Sequence, residues 1–300
     1  MSSSHVLASN SVAAGHQTSL NIEPLSDIFG AEISGVDLGQ PLAEQSIADI
    51  KAAFRDHQLL LFRDQEIPRA AQVRFTGYFG QLEMPINRDY WGKDFPEIHT
   101  VSNLDADGNP KAAQALANPG NFFWHTDGSY LKVPPACSLL YAVEIPSSGR
   151  NTSFVSTYHA YETLARETQE KLDNLRLVHS WAQSRINSGS RPATEEELQK
   201  APPIPHPLVR THPDTGRKAL YMGNHTSHIE GMDAEESRIL LDELLRHATR
   251  ADVVYEHKWR PRDLVMWDNR CLMHCASTEF DMENERRLLH RTVLSGTVPV

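Results

Sequence analysis

Apolar and polar positions alternate along "LNIEPLSDIFGAEISGVDLGQPL", and Gly30, Gly35 and Gly39 interrupt the alternation. That pattern predicts two short strands joined by turns. The period then lengthens, with Ile47, Ile50 and Phe54 at helical spacing through "LAEQSIADIKAAFRDHQ". "LLLFR" at 59–63 is continuously apolar, as expected of a buried strand. "IPRAAQVRFTGYFG" opens on a proline suited to a helix start and closes on Gly80, which predicts a second short helix.

From 81 to 120 the pattern turns irregular: a strand is expected at "IHTVSNL", followed by the long polar connection "DADGNPKAAQALANPGN". Strands are predicted at 136–145 and 151–156, separated by the turn "PSSGR", and helices over 157–174. "LRLVHSWAQ" reads as a strand and "SRINSGSRPATEEELQKAPPIP" as an insert with one short helix. "HPLVRTHPDTGRKALYMG" predicts a hairpin around "PDTG". In "DAEESRILLDELLRHATR", Asp233 is placed to cap a helix whose apolar face is Ile239, Leu240, Leu244 and Leu245. "ADVVYEHKW", "DLVMWDNRCLMHCA" and "RRLLHRTVLSG" return to strands. Strands outnumber helices, and neither an internal repeat nor a regular β-α alternation is present. The expected fold is mainly β with α, a two-sheet jelly roll with flanking helices. Residues 1–18, rich in Ser, Ala and Gly, are expected to be a disordered leader ahead of a single domain at 19–300.

Charge narrows the choice of partners. Lys and Arg total 29 against 39 Asp and Glu, a formal net charge of −10 that repels nucleic-acid phosphates and anionic membranes. An anionic ligand must therefore be drawn by a local cluster of Arg, Lys or His. No apolar run approaches the roughly 20 residues of a membrane span, and the start lacks the pattern of a secretory signal, so a cytoplasmic location is expected. Association into a homo-oligomer is also expected. The three cysteines Cys137, Cys271 and Cys275 are too few for a disulfide framework and read as reduced structural residues. Because Cys271 and Cys275 flank His274, zinc ligation is the alternative.

"FFWHTDGSY" at 122–130 sets His125 and Asp127 two positions apart in an aromatic run. In a strand or its exit, residues i and i+2 share a face, so the two side chains converge. They make half a metal site or, alternatively, a hydrogen-bonded pair in a polar pocket. His274, carried through the mostly apolar "DLVMWDNRCLMHCA", is the candidate third ligand. Two His and one Asp with open positions form the facial triad of non-haem Fe(II) oxygenases. "ERRLLHRTV" adds Arg287 and Arg291, which share a strand face and suit a carboxylate in the same cavity. The alternative pairs them at the surface with Glu283 and Glu285.

Taken together, "WHTDGSY", "GRNTSF", "HPLVRTHPDTGRKALYMG", "HIEGMDAEES", "WDNRCLMH" and "RRLLHRTV" closely resemble the taurine dioxygenase and 2,4-dichlorophenoxyacetate dioxygenase family of Fe(II)/2-oxoglutarate oxygenases, over roughly residues 20–298. The resemblance implies a double-stranded β-helix core with iron held by His125, Asp127 and His274. It implies 2-oxoglutarate as cosubstrate, with Arg287 pairing and Thr152 hydrogen-bonding to its distal carboxylate, and O2 as the oxidant. Succinate and CO2 are the expected coproducts of hydroxylating a C–H bond. Arg291 would face cosubstrate or substrate and Trp267 would wall the site; read alone, Trp267 and Thr152 are equally core and turn residues.

The wording is nearest the phenoxyacetate branch, whose hydroxylated carbon next to an ether oxygen collapses to a phenol and glyoxylate. "FGQLEMPINR", with Glu83, Pro85 and Arg88, lacks the histidines of the taurine branch. A small anionic substrate is expected, with Arg88, Arg291, Asn121, Phe122, Phe123, His225 and His228 as candidate contacts. The segments 81–120 and 183–203 are candidate lids. A sulfonate, alkyl sulfate or amino-acid derivative is the alternative substrate. A zinc hydrolase and a non-catalytic ligand-binding jelly roll are the alternatives of another class.

Overall fold

The computed structural model describes residues 20–84 and 94–300. The expected leader, Pro85 and Arg88, and with them part of the candidate lid at 81–120, lie outside the described residues. The expected first hairpin is β1 (Asn21–Pro24) with β2 (Ala31–Ser34). Then come α1 (Glu44–His57), β3 (Leu59–Phe62), α2 (Arg69–Gly77) and β4 (His99–Ser102). The polar connection after β4 is not structureless: it contains α3 (Ala112–Ala115) and a 3-10 turn, Pro119–Phe122.

β5 (Cys137–Glu144) and β6 (Thr152–Ser156) lead into α4 (Thr157–Glu162) and α5 (Arg166–Leu172). "LRLVHSWAQ" divides into β7 (Arg176–His179) and the start of α6 (Trp181–Asn187), because the Ser180 side chain accepts from the Gln183 backbone N–H and caps a new helix. After α7 (Glu195–Lys200) come β8 (Ile204–Pro207), the hairpin of β9 (Val209–Thr211) and β10 (Lys218–Leu220), and β11 (Thr226–Ile229). Asp233 caps α8 (Ala234–Ala248) as expected. β12 (Tyr255–His257), β13 (Leu264–Asp268), β14 (Leu272–Ala276) and β15 (Leu288–Leu294) complete the chain. "DLVMWDNRCLMHCA" is thus two strands, and they belong to different sheets.

The large sheet runs β1-β2-β3-β13-β5-β15-β4, and a smaller one runs β12-β6-β14. Strand side chains alternate between faces, and in the large sheet both faces are covered, which explains the continuous apolar run of β3. Leu60, Phe62, Leu139, Tyr141, Leu264 and Met266 pack outward with Ile50, Phe54 and Phe75 of the first two helices. Leu59, Leu61, Leu140, Val265, Trp267 and Leu289 pack inward with Phe154 and Leu272 of the small sheet. The small sheet divides likewise, with Val155 and Met273 facing a third cluster that includes Leu244 of α8. The architecture is mainly β with helices on the outside, and the His274 ring lies in the inter-sheet space against Phe154 and Trp267.

The face assigned to α8 needs one correction. Ile239 is 46% exposed, whereas Leu244 is 3% exposed, and Leu241 joins Leu240 and Leu245 at the core edge. Residues 241, 244, 245 and 248 fall on one helical stripe, and 239 lies off it. Leu244→Ala is therefore expected to destabilise the fold by about 2–5 kcal/mol in urea unfolding. Ile239→Ala should change stability by no more than about 0.5 kcal/mol. Equal losses would contradict this packing.

Candidate metal centre

His125 and His274 are neighbours across an antiparallel bridge, exchanging backbone bonds in both directions: His125 N–H to the His274 carbonyl at 3.0 Å and His274 N–H to the His125 carbonyl at 2.9 Å. Directly opposed strand residues project to one face, which brings the ring centroids to 4.2 Å. Asp127, two residues on, shares that face. Gly128 then turns the chain away at φ 59°, where a Cβ would meet Pro135 Cδ at 2.7 Å.

One oxygen of Asp127, Oδ1, lies 3.8 Å from His125 Nε2 and 3.9 Å from His274 Nε2. The ligand atoms of the three residues all lie within 4.8 Å of one another, a span that metal–ligand bonds of about 2.1 Å bridge after slight inward movement. Protonation state agrees with ligation. His125 Nδ1 donates to the Phe123 carbonyl at 2.8 Å, which leaves the Nε2 lone pair facing Asp127. Burial keeps His125 neutral and pushes His274 down to about 3. Burial alone would raise the Asp127 pKa, but the Arg291 guanidinium and the Ser138 hydroxyl hold its carboxyl below the usual range. Two neutral imidazoles and one carboxylate, with no thiolate, form the donor set that suits iron(II) with open positions.

A relay from the large sheet fixes the carboxylate. Trp267 Nε1 donates to Asn269 Oδ1 at 2.9 Å, Asn269 Nδ2 to Ser138 Oγ at 3.0 Å, and Ser138 Oγ to Asp127 Oδ2 at 2.6 Å. All four residues are buried. Oδ2 is thereby engaged and Oδ1 presented to the histidines. Ser138 was missed in the sequence, although a serine amid the apolar run of β5 was the available signal.

The arginines separate into two environments. Arg291, on the inner face of β15, donates through Nη1 to Asp127 Oδ1 at 3.3 Å, and its Nη2 lies 3.1 Å from His99 Nδ1. Burial pushes His99 down to about 3, and it also raises the Glu83 pKa, which Ser295 and Arg291 counteract. Arg287 is 3% exposed and, unlike its neighbour Arg286, which pairs with Glu144, has no acidic partner among the described residues. The surface pairing with Glu283 and Glu285 does not occur there. Thr152 Oγ1 accepts from Trp259 Nε1 at 3.0 Å, so its own O–H is left to donate elsewhere. Trp259 carried no signal in the sequence.

Other candidates fall differently. His225 packs edge-on against His125 at 5.8 Å, and burial, reinforced by His125, pushes it down to about 3, so it meets the site as a neutral ring. Its Nδ1 lies 3.3 Å from Ser129 Oγ, and Tyr130 packs on its ring. His228 is exposed, with its ring against Ser227, and is not brought to the centre. Asn121 is exposed and Phe123 is 44% exposed, whereas the Phe122 ring meets Arg150. The alternation of β14 separates the Cys275 side chain from His274. Cys271 lies with His212 and Asp268, and that second cluster is a closed network: Asp268 accepts from His212 and Arg270, and His212 Nδ1 from the Asp214 N–H.

Comparison with known proteins adds three findings. The model of the taurine catabolism dioxygenase TauD, TfdA family matches residues 21–293. The alpha-ketoglutarate-dependent 2,4-dichlorophenoxyacetate dioxygenase of Cupriavidus pinatubonensis is 36% identical over 92% of this chain and 98% of its own, and the (S)-phenoxypropionate/alpha-ketoglutarate-dioxygenase of Sphingobium herbicidovorans is 33% identical over 91% and 94%. The crystal structure of AAD-2 in complex with Mn(II) and N-oxalylglycine superposes with a TM-score of 0.85 at 36% identity, covering 94% of this chain and 98% of that one.

If the Ser138 bond presents Asp127 as a ligand, Ser138→Ala should weaken Mn(II) binding about 10- to 100-fold in calorimetric titration. Unchanged affinity would show that the relay does not orient the carboxylate.

Proposed function

Because the chain belongs to the TauD, TfdA dioxygenase family, and is accordingly an alpha-ketoglutarate-dependent dioxygenase, we propose that it hydroxylates an aryloxyalkanoate-type carboxylate at the carbon beside the ether oxygen. We read residues 19–300 as one dioxygenase domain with a double-stranded β-helix core, a reading that the two facing sheets support.

His125, Asp127 and His274 would hold Fe(II). When bound, the metal supplies with O2 the oxidising power that decarboxylates 2-oxoglutarate to succinate and CO2 and inserts one oxygen into a substrate C–H bond. The residues themselves bind, orient and exclude water. Arg287 and the Thr152 hydroxyl receive the distal carboxylate of 2-oxoglutarate. Arg291 receives the carboxylate of the substrate, and its place beside Asp127 is the observation that carries the proposal: a fork-shaped cation, its buried Nε without a partner, stands next to the three ligands. A substrate anchored there would have its nearest C–H bonds beside the residues that would hold the metal. The rings of Tyr130 and His225 offer an aromatic wall suited to an aryl body. Asn121 and Phe123, on the turn just ahead of His125, remain candidate contacts at its outer end. Hydroxylation beside the ether oxygen gives a hemiacetal, which expels the phenol and leaves the oxo acid.

The test is substrate-dependent succinate formation with Fe(II), 2-oxoglutarate and O2 across phenoxyacetates, phenoxypropionates, sulfonates and alkyl sulfates. Phenoxy acids are expected to stimulate succinate and release phenol in equal amounts. His125→Ala should abolish both, and Arg291→Ala should raise KM for the phenoxy acid at least tenfold, as loss of a charge-assisted pair would. Stimulation by sulfonates or alkyl sulfates alone would overturn the substrate assignment while leaving the dioxygenase intact.

A further inference from the structure

Arg287 is not the sole unpaired guanidinium at its end of the inter-sheet space. Arg150, just ahead of β6, is 5% exposed, and its Nε and Nη1 are buried without partners, as is Arg287 Nε. Among the described residues no carboxylate pairs with either: Glu144 is taken by Arg286, and Glu285 by Ser147. The Arg150 guanidinium lies 4.2 Å from the centroid of Phe280, in the loop between β14 and Arg287, and 5.8 Å from that of Phe122. Each ring offers a face to the cation, but neither supplies an acceptor. Burial lowers the pKa of Arg150 to about 10, and burial followed by the field of Arg150 lowers that of Arg287. The two cations therefore share one poorly solvated region. Burying a charge without a partner is costly, and burying two of one sign is more so, which makes this region a receptor for an anion.

The backbone points the same way. Arg150 has φ 57°, in the left-handed region where glycine is favoured and a branched or long side chain is strained. Two residues on, Thr152 has its oxygen occupied by Trp259 and its O–H left to donate. A carboxylate has two oxygens and about four acceptor directions, enough for Arg287, Arg150 and the Thr152 hydroxyl together.

We propose that Arg150 is a second cationic clamp on the distal carboxylate of 2-oxoglutarate, acting beside Arg287. The inference rests on the cosubstrate assignment given above. Its consequence is selectivity: the double clamp favours a 2-oxo dicarboxylate over a 2-oxo monocarboxylate of equal chain length.

The experiment is calorimetric binding of 2-oxoglutarate, and of 2-oxopentanoate, which lacks the distal carboxylate, to the full-length Mn(II)-loaded protein without O2. Arg150→Gly accepts the local backbone, and thermal melting checks that it stays folded. This variant should bind 2-oxoglutarate about 10- to 100-fold more weakly, with 2-oxopentanoate binding unchanged. Arg150→Lys should recover part of the loss. If Arg150→Gly binds 2-oxoglutarate like the parent while Arg287→Ala does not, the cosubstrate site stands and the second clamp is overturned. If both ligands weaken equally in Arg150→Gly, the arginine acts away from the distal carboxylate, which also overturns it. If the parent protein binds no 2-oxoglutarate, the cosubstrate assignment and this inference fall together.

Discussion

His125 and His274 exchange both of their backbone hydrogen bonds, and the rest of the centre follows from that pairing. It sets two imidazoles side by side without asking either side chain to search for the other. The two-residue period of extended chain then delivers Asp127 to the same face. The left-handed turn at Gly128 lets the chain leave before a further side chain crowds the site. Position is thus written into the backbone, and the ligand geometry costs little side-chain entropy at the moment a metal binds.

A buried centre of this kind needs charge to be balanced locally. Asp127 is held ionised by Arg291 and by the hydroxyl of Ser138, and the histidines are kept neutral by burial. Arg287 and Arg150 carry the opposite imbalance, cations without carboxylates. The overall acidity of the chain and the local cationic end are compatible because exposed charges are screened over about 10 Å, whereas buried ones are not.

Much of this was legible in the residues. The His125-x-Asp127 spacing follows from period-two geometry, and the structure brings both side chains together with His274, the third candidate the sequence offered; Arg287 and Arg291, expected on one strand face, meet different surroundings, because Arg287 lies ahead of β15, whose register shifts between Leu288 and Leu289. The long α8 was legible too, except that Ile239 was assigned to its apolar face; hydrophobicity alone does not say which of two overlapping stripes meets the core. His225, a candidate contact in the sequence, enters the site as a buried ring whose pKa burial pushes down to about 3, a state that sequence does not report. Ser138 bonds Asp127 eleven residues back and Asn269 131 residues on, Trp259 bonds Thr152 107 residues back, and Arg150 sits at an unusual φ; neither periodicity nor composition reports such contacts. The boundary between β7 and α6 was set by one capping hydroxyl, a signal that the surrounding apolar pattern hid.

The most direct test of the centre is pulsed electron paramagnetic resonance on the Mn(II)-loaded protein, which counts imidazole nitrogens bound to the metal. One ion per chain with two coordinated imidazoles, falling to one in His274→Ala, is the expected result. A parent signal with no imidazole nitrogen, or one unchanged by that substitution, would contradict the assignment of His125, Asp127 and His274 as the ligands.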